Sequence, residues 1–105
     1  MKKFDLELRV STFGSVITWK VYLEDSTDEN QKVTGWTPSP DGYLYKKLPD
    51  YQIVDASLEV FASCHGIAGG TLTCTVLIND VEQTKKVKAK VEDTKYASQS
   101  YPIAL

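Results

Sequence analysis

Residues 4 to 11 alternate without a fault: Phe4, Leu6, Leu8 and Val10 are apolar, while Asp5, Glu7, Arg9 and Ser11 between them are polar. In an extended chain a period of two gathers the apolar side chains on one face, whereas a helix of 3.6 residues per turn would scatter them around its axis. The segment is therefore a strand with one dry face, and that face needs a second apolar layer to bury against. The same period returns in Ile17, Trp19, Val21 and Leu23, in Leu58, Val60, Ala62 and Cys64, and in Leu72, Cys74, Val76 and Ile78. It returns once more in Val87, Ala89 and Val91, set against Lys86, Lys88 and Lys90. No stretch sustains a helical period.

The segments between these runs are turn-forming. Phe13-Gly14-Ser15 closes the first strand, and residues 24–30 are polar throughout. Residues 37–42 combine two prolines with Asp41-Gly42, and Pro49-Asp50 is expected to break the chain again. Short strands are expected over 31–36 and 43–48, and a last one over 96–103, with Pro102 marking an edge or an end. The glycine-rich residues 66–70 are read as a hairpin turn, and Asn79-Asp80 as a second reversal. Together these predict an all-β fold, an antiparallel β-sandwich of seven or eight short strands, immunoglobulin-like, preferred over a small barrel. At 105 residues the chain holds one core, so residues 1–105 are read as a single β-sandwich domain. Its expected core is Phe4, Leu6, Leu8, Val10, Ile17, Trp19, Val21, Leu23, Leu58, Val60, Leu72, Val76, Ile78 and Val87.

Charge narrows the classes of partner. Twelve basic against fourteen acidic residues leave a net charge of −2, without the broad positive field of a non-specific nucleic-acid binder. No nucleic-acid partner is expected. No apolar run approaches the roughly 20 residues that span a bilayer. Asp5 and Glu7 interrupt the stretch that a signal peptide would need, so no leader is read in this sequence. The compartment is left open, with an extracytoplasmic placement favoured if a native leader is missing from the sequence.

Catalytic and metal chemistry find few carriers. His65 is the single histidine, and its neighbour Cys64 would point to the opposite side of a strand, which separates a nucleophile from its base. One histidine and two cysteines fall short of a tetrahedral zinc set. Glu24, Asp25, Asp28 and Glu29 form the densest acidic cluster, but their spacing does not match a calcium loop and reads as a solvated turn. The glycines of residues 66–70 lack the Lys-Ser/Thr of a phosphate loop. The expectation is therefore no enzyme, no cofactor and no metal. Lys86, Lys88 and Lys90 read as protection of an exposed strand edge, or as a row that could meet an anionic surface. Trp36, Tyr43 and Tyr45 flank the proline turn and are expected to lie close together, either as a platform for a sugar or hydrophobic partner or as a cap on the core.

Cys64 and Cys74 are the candidate disulfide. A hairpin across residues 66–70 permits a register that opposes Cys64 to Cys74, Ala62 to Val76 and Val60 to Ile78, while a neighbouring register leaves the sulfurs diagonal. In an oxidising compartment the pair could bond, and in a reducing one it would serve as small apolar core groups.

From Leu48-Pro49 onward the order of features resembles the extracytoplasmic β-sandwich domain of MmpS-type membrane proteins and similar short bacterial lipoprotein domains. The carriers are the run Gly70-Thr71-Leu72-Thr73-Cys74-Thr75-Val76-Leu77-Ile78-Asn79-Asp80 and the closing Tyr96-Ala97-Ser98-Gln99-Ser100-Tyr101. Val16 to Val21 is similar to the family's first aromatic strand, while the strand at Phe4 to Ser11 is an addition to its pattern. The resemblance implies a domain outside the cytoplasm that assists a larger envelope or transport system without doing chemistry. The expected function is thus a non-catalytic binding or accessory module whose partner is another protein or a surface glycan. The alternatives are a carbohydrate or surface adhesion module using Trp36, Tyr43 and Tyr45, and a structural subunit of a secretion apparatus or virion.

Overall fold

The computed structural model describes residues 2–53, 57–84, 86–92 and 96–104, with side chains described for residues 3–53, 57–84, 86–92 and 96–98. Among the described residues nine strands follow one another: β1 (Lys2–Phe13), β2 (Val16–Leu23), β3 (Thr37–Pro38), β4 (Leu44–Ile53), β5 (Ser57–Gly66), β6 (Thr71–Ile78), β7 (Val81–Glu82), β8 (Val87–Lys90) and β9 (Tyr96–Ala104). They form two antiparallel sheets. The larger runs β3-β4-β1-β6, with β7 and β8 both pairing β6, and the smaller runs β2-β5-β9. The all-β sandwich read from the alternation is what the chain adopts, and the count exceeds eight because β3 and β7 are two-residue strands.

The inner faces are the apolar phases of the strands. Leu6, Leu8 and Val10 of β1 lie beside Val76 and Cys74 of β6 and meet Val21, Leu23, Leu58, Val60 and Ala62 of the smaller sheet in one buried cluster. Trp19 and Ile78, expected inside, are only partly buried at its margin. Ile17 departs fully from its expected burial and is 75% exposed. The reason is a bulge: Val16 opposes Gly66 and Thr18 opposes His65, so Ile17 is an extra residue that opposes nothing and turns outward.

Two other expectations are corrected by the backbone. Pro49-Asp50 does not end a strand, because β4 continues through it to Ile53. The register slips there by one residue, Leu6 facing Leu48 but Phe4 facing Tyr51, and Asp50 takes φ 54° with its N–H donated to Asp5 Oδ1. A proline has no N–H to lose at a bulge, so the ladder accommodates it. Residues 31–36 make no strand either. A one-turn 3-10 helix, Glu29–Gln31, leads to a single bridge between Lys32 and Tyr22, and the chain then crosses to the larger sheet. On the way Val33 N–H bonds Val21 and the Trp36 indole donates to the Val33 carbonyl, with the Trp36 ring edge-on to Trp19 at 5.2 Å. This crossing seals the seam between the edges β2 and β3.

The hairpin expected at residues 66–70 is not one. β5 pairs β2 and β9, β6 pairs β1, β7 and β8, and the connection arches from one sheet to the other. Cys64 and Cys74 therefore do not oppose each other in a ladder. Cys64 lies between Trp19 and Ala97, Cys74 between Val10 and Val87, and both are free thiols buried in the core. Cys64 Sγ sits 3.8 Å from the Ala89 carbonyl, so it packs on β8. Burial raises both thiol pKa values, that of Cys74 from 9.0 to about 12. A neutral thiol favoured by the fold stabilises it below pH 9, and that contribution is lost as pH rises towards 12. Native protein at pH 8 should accordingly resist thiol alkylation and label both sites only on denaturation. Rapid stoichiometric labelling of the folded chain would contradict this burial.

Candidate functional site

The outer face of the smaller sheet carries a concavity of about 510 Å³. Strand register arranges its side chains in rows that cross β2, β5 and β9. Thr18, His65 and Tyr96 form one row, Lys20, Ser63 and Ser98 the next, and Tyr22 with Phe61 the third. The two serines of the middle row are short, while the rows on either side carry rings. A trough results, running across the strands, with a hydroxyl floor and aromatic walls. His65 and Phe61 stand four residues apart on β5, so the wall rows are separated by ~14 Å at a rise of about 3.4 Å per residue.

Each wall is braced. His65 and Tyr96 pack with ring centroids 4.7 Å apart at 56°. The Tyr22 hydroxyl donates to Glu29 Oε1 at 2.9 Å, which draws the loop after β2 over the same face and brings Ser26 to the rim. That bond holds the tyrosine protonated, raising its pKa. The loop is ordered by its own acids: Asp25 accepts from the N–H and hydroxyl of Thr27, which lowers its pKa, and Asp28 caps the 3-10 helix by accepting from the Asn30 N–H. The acidic cluster thus works as a set of turn braces beside the trough. Lys20 projects from the β2 end of the floor, exposed, and no described acid pairs with it. The arrangement offers stacking surfaces, hydroxyls that donate and accept, and one cation. Alternation sends Cys64 into the core and His65 outward, so the two point away from each other.

The three aromatic residues singled out from the sequence are divided. The turn does bring their segments together, since Thr37 opposes Tyr45 and Pro38 opposes Leu44. Trp36 points inward to Trp19 and the core, while Tyr43 and Tyr45 lie on the outer face of the larger sheet with centroids 6.5 Å apart. There the Arg9 guanidinium, held by Glu7, lies 5.1 Å from the Tyr43 ring and Lys47 lies 6.0 Å from that of Tyr45. A hollow of about 300 Å³ is lined by Arg9, Asp41, Tyr43, Thr75 and Glu82. It has no second aromatic wall. Lys88 and Lys90 of β8 pair with Thr73 and Thr71 of β6 and are exposed, as is Lys86 just before the strand.

The trough was readable in part. Tyr22, Phe61 and His65 occupy the polar phase of their strands, where rings are out of place on a merely solvated face. What brings Tyr96 and Ser98 beside them is the pairing of β5 with β9, which no local pattern encodes. No helix among the described residues is long and apolar enough to cross a membrane. Comparison of the chain with protein-family models, with curated proteins and with solved structures finds no match.

Proposed function

We propose that the protein is a non-catalytic binding module that seats a ring-bearing, hydroxyl-rich ligand, a surface glycan, in the trough of the smaller sheet. The observation that carries this is the row of short Ser63 and Ser98, with Lys20 at its β2 end, set between rows that carry rings. Rings flanking a polar floor receive the apolar faces of a sugar while the floor satisfies its hydroxyls, and the volume falls within the roughly 300–1,000 Å³ of ligand sites. The site is carried on paired strands, and its rim loop is pinned, so little ordering is left for binding to supply. The resemblance noted at residues 48–101 supports the same reading, in which such a module serves an envelope or transport system as an accessory. Adhesion through a three-ring platform of Trp36, Tyr43 and Tyr45 loses its footing because Trp36 faces the core.

The test is a glycan array followed by titration of the retained sugars. Phe61→Ala should weaken binding at least about tenfold, as loss of a stacked ring costs on the order of 1.4 kcal/mol, and Tyr43→Ala should leave it unchanged. Retention of no glycan, or binding that survives Phe61→Ala and fails with Tyr43→Ala, would remove the trough from the function.

A further inference from the structure

The trough has two unlike ends. Along its floor Lys20 opposes Ser63 and Ser63 opposes Ser98, so the floor crosses two inter-strand spacings, about 10 Å. At the β2 end the surface does not stop with the strand. The Val33 N–H bonds the Val21 carbonyl and Lys32 bridges Tyr22, so the returning chain lies along the outer side of β2. The burial of Tyr22 shows that the loop between them folds over the outer face. Tyr22 shares that face with Thr18 and Lys20, yet it is only 8% exposed while both of them are open to solvent. Its cover is the loop that Glu29 pins to the Tyr22 hydroxyl, and Ser26 of that loop lines the concavity with Lys20 and Tyr22.

The β9 end is open. Among the described residues β9 pairs β5 and no other strand, and Ser98 is exposed. Hydrogen bonds on the opposite side of β5 fix what this edge presents. The Glu24 N–H bonds the Glu59 carbonyl, so Glu59 turns its backbone to β2, and by alternation so do Phe61, Ser63 and His65. Ala62 and Cys64 therefore bond β9, through Gln99 and Ala97, and the backbone N–H and C=O of Ser98 and Ser100 point out past the edge. Pro102 falls on the same alternation, where its missing N–H takes no bond from β5. A chain leaving the floor over Ser98 meets backbone donors and acceptors, whereas one leaving over Lys20 meets the Ser26 loop.

We infer that the trough takes a glycan by its terminus, with the last unit seated against Lys20 and the Ser26 loop and the rest of the chain leaving over β9. The inference rests on the glycan reading of the trough and adds the direction of the ligand. A surface glycan is held to its carrier by its reducing end, so the unit that enters is the non-reducing terminal one. Lys20, a donor with no described acid paired to it, is placed to bond the hydroxyls of that unit.

The test takes each linear oligosaccharide retained on the array in three forms: unmodified, carrying a fluorophore at the reducing end, and extended by a further galactose at the non-reducing end. Calorimetric titration into the full chain should place the first two within about twofold of each other and the extended form at least about tenfold weaker. A spin label on the reducing end gives an independent reading of direction, and should broaden the amides of Ala97 and Ser98 more than those of Lys20 and Ser26. Equal binding of the extended form, or stronger broadening at Lys20 and Ser26, overturns the terminal mode while leaving the trough a glycan site. Retention of no oligosaccharide on the array overturns both.

Discussion

Gly66→Ala lowers the unfolding free energy by about 3 kcal/mol or more, and Gly70→Ala by a similar amount, although each adds a single methyl group. A Cβ built on Gly66 falls 2.0 Å from the Ser15 carbonyl oxygen, and one on Gly70 falls 2.3 Å from the same atom. Backbone on both sides has nowhere to retreat, because Ile67 N–H is bonded to that oxygen and Gly69 and Gly70 are tied to Val91. Relief requires the two arches to part, which breaks these bonds and opens the end of the core. Gly42 is the control: a Cβ there meets nothing within 4 Å, and only its φ of 92° resists a side chain. Gly42→Ala should cost about 1–2 kcal/mol. Urea unfolding followed by tryptophan fluorescence measures all three, and a loss below about 1 kcal/mol for Gly66→Ala would contradict the stacked arches.

Leu8→Ala should cost about 3–4 kcal/mol, lowering the melting temperature by roughly 15–20 °C for a domain of this size. Leu8 is wholly buried in β1, flanked by Lys46 of β4 and Val76 of β6, so truncation leaves a cavity at the centre of the larger sheet. Strands on both sides hold the backbone and limit collapse into the space. Ile17→Ala, a deletion of comparable size at a position with the parity of Trp19 and Val21, should change stability by less than about 0.5 kcal/mol. The contrast isolates the bulge, since without it Ile17 would sit in the core and its truncation would cost several kcal/mol.

That pair of residues shows how far a local pattern reaches. Period two located β1, β2, β5, β6 and β8 and their buried faces, because side-chain direction follows directly from extended backbone. It failed at Ile17 and at Pro49-Asp50, where an unpaired residue shifts the phase and only the partner strand reveals the slip. It failed again at residues 66–70, since glycines that allow a tight hairpin also allow an arch. The choice between these was made by β1, which occupies the place beside β6 that a hairpin would have given to β5. With it went the cross-strand pairing of Cys64 and Cys74. The trough depends on the same non-local choice: Phe61 and His65 are legible as rings in a polar phase, but Tyr96 and Ser98 join them only through the pairing of the last strand with β5. Trp36 was identified as a ring near a turn, and its inward direction follows from the seam it closes, which exists only once β2 and β3 are edges of facing sheets.

The most direct measurement of ligand seating is a heteronuclear NMR titration of the protein with a panel of neutral and acidic oligosaccharides. Binding in the trough predicts amide shifts concentrated at Thr18, Lys20, Phe61, Ser63, His65 and Ser98, with the sugar's own signals unchanged in structure over a day. Shifts concentrated at Arg9, Tyr43, Tyr45 and Thr75, cleavage of the sugar, or no shifts with any member of the panel would contradict a non-catalytic glycan site on the outer face of β2, β5 and β9.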